Sequence, residues 1–380
     1  MSIVDKIEQK LILRKLKSES GSHSPSTKEI VSKLGFNPIK HDFCFLSNPY
    51  ATDLVVERLS SLFSDKREVF NLLEAYPAGS RYVAENISKF EGVDSSKIVV
   101  ANGAVQAIEW VCEGWGLERL LIPIPTFSTY YEFLGDKCVL LEDFWLKDEI
   151  SASHLLNLAD ENSSDSILLI LPNNPTGETL PLDELKKLIE NLGDRKLIID
   201  ESFSHFISDY ESYAEFRNEL TNEKIVFIKS MSKDFGVAGL RLGYLYTFDK
   251  KLLDFSNRKT TWNLNNFSVT FSDYLAEEGF RSEYLNARSR YLEAKDEFFD
   301  KLCTIDGLKV FPSEANFFLI QFERNKYPDI VYDLLINYGI YVRTMEDKIG
   351  LDDGYIRVAS RRVEENNFFL DSIKEYLGND

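Results

Sequence analysis

Two hydroxyls, a lysine and an arginine fall close together where an apolar run gives way to a loop. Ser230 and Ser232 flank Met231 and lead into Lys233, and Arg241 follows in GVAGLRLGY. A lysine in that place can form a Schiff base with a carbonyl group, while hydroxyls and a guanidinium can hold a phosphate dianion. A phosphorylated aldehyde cofactor, pyridoxal phosphate, requires both. Other polar residues stand in similar positions: Gly103 and Ala104 after KIVVAN, Phe127 after RLLIPIPT, Asn174 in SILLILPNNP and Asp200 closing KLIID. No GxGxxG or GxxxxGK[ST] follows any of these runs, which argues against a dinucleotide or nucleoside triphosphate site.

The elements that must position these residues are short apolar runs at 97–103, 119–126, 138–144, 166–175, 196–203, 224–230 and 243–247. Longer amphipathic stretches such as AVQAIEWVCEGW (104–115) and LDELKKLIENLG (182–193) separate several of them. This βαβ rhythm predicts an α/β protein with a largely parallel sheet covered on both faces. In such sheets ligands bind outside the carboxyl ends of the strands, which is where the candidates gather. From about 275 the pattern changes to a charged helix over 282–302, then short strands (LKVFP, NFFLIQF, IYVRTM, YIRVAS) and a last helix. The expected division is an N-terminal helix and arm over 1–44, a large cofactor-binding domain over 45–275 and a small α+β domain over 276–380. Within the first, SESGSHSPST (18–27) reads as an exposed arm or loop.

Among the 380 residues, 44 Lys and Arg stand against 62 Asp and Glu, a net charge of −18. That balance argues against nucleic acid or an anionic membrane as the main partner. Four scattered cysteines form no CxxC pair, so no metal site is expected. The first twenty residues lack the unbroken apolar core of a signal peptide, and no later run is long enough to span a bilayer. A soluble cytoplasmic protein is the expectation.

Asn174, Asp200, Lys233 and Arg241 follow one another at intervals of 26, 33 and 8 residues. In that order they resemble the fold type I pyridoxal-phosphate enzymes of the class I/II aminotransferase family. The nearest groups are the histidinol-phosphate aminotransferases and threonine-phosphate decarboxylases, and the resemblance runs from about Phe45 onward. It implies an aspartate aminotransferase-like fold, a large domain with a mostly parallel mixed sheet beside a small α+β domain. It also implies roles. Lys233 carries the cofactor and moves a proton at the substrate α-carbon, and Asp200 pairs with the pyridine nitrogen. Asn174 bonds the phenolic oxygen, and Phe127 stacks on the ring or is a core aromatic. Gly103, Ala104, Ser230, Ser232 and Arg241 cradle the phosphate. Tyr76 in EAYPAGSRY reaches the phosphate of a partner subunit in a homodimer, or is a packed loop residue. Arg357 clamps the substrate carboxylate, and Arg343 binds a substrate phosphate or pairs with a surface carboxylate.

Two departures bear on the reaction. Most aminotransferases of this class carry tyrosine three residues after the cofactor aspartate, where this chain has Phe203. Threonine-phosphate decarboxylases tend to share that phenylalanine, and they bring a histidine from the neighbouring chain over the substrate phosphate, a region His23 occupies here. The expected reaction is transamination of a small amino acid or phosphorylated amine with a 2-oxo acid. Decarboxylation of a phosphorylated amino acid is the alternative.

Overall fold

A computed structural model describes residues 3–146 and 150–378; the outermost residues of the expected first and last domains, 1–2 and 379–380, lie outside it. Thirteen strands occur among the described residues. They are β1 (His41–Asp42), β2 (Ile98–Ala101), β3 (Leu120–Pro123), β4 (Cys138–Leu141), β5 (Ser166–Ile170), β6 (Lys196–Asp200), β7 (Ile225–Ser230), β8 (Gly243–Thr247), β9 (Leu308–Val310), β10 (Phe317–Phe322), β11 (Ile340–Tyr341), β12 (Arg343–Thr344) and β13 (Tyr355–Ala359). Seven of them form the main sheet in the order β2-β8-β7-β6-β5-β3-β4. Five neighbours run parallel, and β8 lies antiparallel between β2 and β7. The chain reverses into β8 through a short loop after Lys233, so this strand needs no helical crossover.

Alternation along the central strands explains why both faces are covered. Ile167, Leu169, Leu197, Ile199, Ile225 and Phe227 enter one core, and Leu168, Ile170, Ile198, Val226 and Ile228 enter the other. Side chains two apart on a strand share a face, so apolar residues at every position require helices on both sides. The same rule carries past the apolar residues. Asp200 and Ser230 share a parity with Ile198 and Ile228, whereas Glu201 and Lys229 point to the opposite side.

Helix Phe280–Leu302 leads from this sheet to a four-stranded antiparallel sheet of order β12-β13-β10-β9. Phe298, Leu302, Phe318, Ile320, Ile356, Val358 and Phe369 form its core. The run IYVRTM, read as one strand, is divided here. Ile340–Tyr341 pairs in parallel with His41–Asp42, and Arg343–Thr344 joins β13. The N-terminal helix Ile3–Glu19 packs Leu13 and Leu16 against Leu335 and Tyr341. The following arm is tied down rather than free. Tyr341 donates to Pro25 O at 2.7 Å, Arg343 to Ser22 O at 2.9 Å, and Lys17 to Gly21 O at 2.7 Å. Beyond Glu19 the segment is a loop, with Ser18, Glu19, Gly21 and His23 exposed, as expected, and its backbone carbonyls are the acceptors for buried donors. No helix among the described residues is long and apolar enough to cross a membrane.

Candidate active site

A cleft of about 150 Å³ opens at the carboxyl ends of the parallel strands. Ala104, Phe127, Asn174, Asp200, Ser230, Ser232, Lys233 and Arg241 all line it, together with Phe203 and Ser202. Residues scattered from position 104 to position 241 thus meet because they lie at or just beyond the ends of strands of one sheet. Helix Ala104–Gly114 points its N-terminus into the cleft, with Gly103 before it at φ +80°. A Cβ on Gly103 would stand 2.4 Å from Nη2 of Arg241, so only glycine lets the guanidinium lie against that helix end. Free backbone N–H groups, a helix dipole and a guanidinium together form an anion cradle. Ser232 Oγ is buried there without a hydrogen-bond partner among the described residues.

Asp200 is buried at the end of β6. Its Oδ2 accepts from the Tyr130 hydroxyl at 2.9 Å and its Oδ1 from the Ser202 backbone N–H at 3.0 Å. Burial pushes its carboxyl above the usual range, against the pull of those donors. These donors, and the Ser202 hydroxyl that joins them, are neutral, so a protonated ring nitrogen would supply the positive charge that the buried carboxylate requires. Tyr130 escaped sequence reasoning. The available signal was its place one helical turn beyond the Phe127 loop, though nothing in IPTFSTYY distinguishes it from Tyr131.

Lys233 reaches the same cleft. Burial, and then the nearby charges of Arg357 and Arg241, pull its ammonium down to about 8. Its own carbonyl accepts from Asn48 N–H at 2.9 Å, which holds the loop. Arg357 projects from β13 across the gap between sheets. Its Nη1 donates to Asn174 Oδ1 at 2.6 Å and its Nη2 to Cys44 O at 2.9 Å, while Nε is buried without a partner among the described residues. Asn174 therefore spends its oxygen on Arg357 and keeps its amide N–H groups, the donors that a phenolate oxygen needs. Phe203 lines the cleft and packs edge-on to Phe317 at 5.3 Å, offering no hydroxyl.

Three candidates stand apart from the cleft. Tyr76 is 74% exposed and stacks on Trp262 at 4.8 Å, so it takes no part in this chain's own cradle. His23, from the same chain, lies with its ring centroid 6.3 Å from that of Phe127. Arg343 is buried and already occupied, with Nη2 paired to Asp347 at 2.6 Å and Nη1 donating to Thr344 O at 2.6 Å. Its ion pair makes it a poorer anion receptor than its charge alone suggests.

Behind the cleft lies a feature that sequence reading missed. Glu201 and Lys229, turned to the opposite side by strand alternation, enter a fully buried ionic network. Arg217 bridges Glu201 at 2.7 Å and Glu91 at 3.1 Å, and Lys229 and His205 each reach Asp234 at 3.0 Å. Glu201 follows Asp200 and Asp234 follows Lys233, so the network fixes the backbone of both cleft residues from the rear.

The family model for aminotransferase class I and II matches residues 50–372. The chain is 37% identical to an L-serine phosphate decarboxylase from Campylobacter jejuni, covering 95% of each. It is 34% identical to an L-serine phosphate decarboxylase from Sulfurospirillum multivorans, over 95% of this chain and 94% of that one. A solved structure of a decarboxylase from Sulfurospirillum multivorans superposes with a TM-score of 0.89 at 32% identity, covering 98% of this chain and 97% of that one. The chain belongs to the class I and II aminotransferase family, it has the fold type I architecture of pyridoxal-phosphate enzymes, and its cofactor is pyridoxal 5′-phosphate. The expectation of an aminotransferase working with a 2-oxo acid is overturned by the same findings. These two relatives, similar along almost their whole length, are L-serine phosphate decarboxylases, and they give no support to a 2-oxo acid partner. The cofactor residues could not have shown this, because both reactions draw on the same set.

Proposed function

We propose, with that family membership as the premise, that the chain is a pyridoxal-phosphate-dependent decarboxylase of a small phosphorylated amino acid, L-serine phosphate first among the candidates. The observation that carries the reading is 37% identity to an L-serine phosphate decarboxylase over 95% of both chains. The reaction balances without a second substrate: L-serine phosphate and one proton yield O-phosphoethanolamine and carbon dioxide. When bound, pyridoxal phosphate supplies the electron sink that accepts the pair left at the substrate α-carbon as the carboxylate departs.

The residues of this chain divide the remaining work. Ser230, Ser232, Arg241 and the backbone at Gly103 and Ala104 hold the cofactor phosphate. Asp200, oriented by Tyr130, keeps the ring nitrogen protonated, and Asn174 donates to the phenolic oxygen. Phe127 covers the ring. Arg357 meets the substrate carboxylate with its unpartnered Nε and fixes how that group stands relative to the ring. Lys233, neutral above about pH 8 when free, is the amine that holds the cofactor carbonyl and returns the proton to the α-carbon. Tyr76 and Trp262, exposed and stacked, are suited to a second copy of the chain, with Tyr76 reaching the partner's cofactor phosphate in a homodimer.

Incubating holoenzyme with L-serine phosphate and following carbon dioxide and O-phosphoethanolamine tests the reading. Stoichiometric release of both, with no requirement for a 2-oxo acid, is expected. Conversion of the cofactor to its pyridoxamine form, reversed by a 2-oxo acid and without carbon dioxide, would sink it. Sedimentation of the holoenzyme tests the dimer.

A further inference from the structure

Three cations converge under the N-terminal arm, and one carboxylate serves two of them. Asp347 lies 2.6 Å from Arg343 and 3.4 Å from Lys17. Lys348, only 8% exposed, is the third. Its Nζ donates to the Ser22 carbonyl at 3.1 Å and to Ser128 Oγ at 3.1 Å, both neutral acceptors. No carboxylate among the described residues comes within ion-pair distance of it. A buried ammonium without a counter-ion is costly, and such costs persist where a charged ligand relieves them.

The position of this ammonium gives it a use. Ser128 directly follows Phe127, which lines the cofactor cleft. The loop beyond Lys348 packs on the same strand end, where a Cβ on Gly350 would stand 3.5 Å from Pro125. His23 closes the other side against Phe127. Burial is the main cause that pulls Lys348 down to about 8; Asp347 and Glu132 oppose it, and Arg343 and Arg357 add to it. A serine hydroxyl accepting from an ammonium can still turn its own proton toward an anion.

We propose that Lys348 and Ser128 form the subsite that receives the phosphate of the substrate, an inference that rests on the phosphorylated-substrate reading above. Arg343, already neutralised by Asp347, then positions the arm through Ser22 rather than serving as the main phosphate ligand. Specificity for a phosphomonoester tail resides in a residue that lies in no recognised motif of the sequence.

The test compares wild-type holoenzyme with Lys348→Met, Lys348→Arg and Ser128→Ala. O-phosphoethanolamine binding is read from the cofactor absorbance, and L-serine phosphate turnover is measured beside it. Lys348→Met is expected to weaken O-phosphoethanolamine binding, and to raise KM for L-serine phosphate, by about ten- to a hundredfold, the loss of one charge-assisted contact. The resting cofactor spectrum and the binding of unphosphorylated L-serine stay unchanged, and Lys348→Arg restores most of the affinity. Equal O-phosphoethanolamine affinity in wild type and folded Lys348→Met overturns the subsite. If Lys348→Met does not fold, Ser128→Ala decides: weaker binding supports the subsite and unchanged binding overturns it. Inorganic phosphate bound as tightly as O-phosphoethanolamine would mark a free-anion site and overturn the substrate assignment. Lys348-dependent binding without carbon dioxide release keeps the subsite and removes the decarboxylase reading. Carbon dioxide release with an unchanged KM in Lys348→Met does the reverse.

Discussion

Replacing Arg217 with methionine should destabilise the fold from behind the active site. The guanidinium is fully buried, donating to Glu201 Oε1 at 2.7 Å, to Glu91 Oε2 at 3.1 Å and to Asn218 Oδ1 at 2.9 Å. Methionine fills much of the same space with no charge. Glu201 then retains the Tyr213 hydroxyl at 3.0 Å, and Glu91 faces His205 at 3.6 Å. Removing one partner of a buried ion pair costs about 3–5 kcal/mol, because the stranded carboxylate has lost its water as well. A net stability of about 5–15 kcal/mol cannot absorb that unnoticed. Burial alone would raise the Glu91 carboxyl, yet Lys229, His205 and Arg217 outweigh it and hold it well below the usual carboxylate range. The sign of the pH effect follows. A depressed carboxyl contributes stability above its unfolded value near 4.5 and loses that contribution as pH falls toward its folded value. The variant's deficit should therefore be largest at neutral pH and shrink only below about pH 4.5, as pH falls toward the depressed folded value and the carboxyl takes up its proton. Urea unfolding of both proteins at about pH 7.5 and about pH 3, followed by far-ultraviolet circular dichroism, measures it. A deficit under about 1 kcal/mol, the worth of an exposed pair, would refute the argument, as would one that does not change with pH.

Three further outcomes follow from the cleft. Because Lys233 is held near 8, capture of pyridoxal phosphate by the apoenzyme should quicken as pH rises to about 8 and then level off; a rise continuing toward 10.5, seen by stopped-flow absorbance, would contradict the burial argument. Gly103→Ala places a methyl group 2.4 Å from Arg241 Nη2 in a left-handed backbone, so cofactor should be lost on dialysis at least about tenfold faster, a deficit of about 1–2 kcal/mol. Tyr130→Phe removes one of the donors to Asp200, and kcat should fall about tenfold with the cofactor still bound, against a loss of about a hundredfold or more for Asp200→Asn.

The candidate site was largely legible in the sequence because its information is local. Strands announce themselves as apolar runs, and a parallel sheet places whatever follows each run at one edge. Gly103, Asn174, Asp200, Ser230 and Lys233 were therefore found together without any knowledge of how the strands are ordered. Phe203 and Arg357 were singled out by the resemblance to the family rather than by their place after a strand. The reaction was legible only as an alternative, through Phe203 and His23, since the residues that hold the cofactor are common to amino transfer and decarboxylation.

Only the tertiary structure showed how charges pair across distance. Arg343 and Lys348 are five residues apart and look alike as isolated cations, yet one has the Asp347 carboxylate and the other has only neutral acceptors. Tyr130 meets Asp200 across 70 positions, and Arg217 joins Glu91 to Glu201 on the face that alternation turns away from the cofactor. The physical reason is one of range. Periodicity and turn chemistry act between near neighbours in the chain, whereas the state of a buried charge depends on what the fold brings within a few ångströms of it.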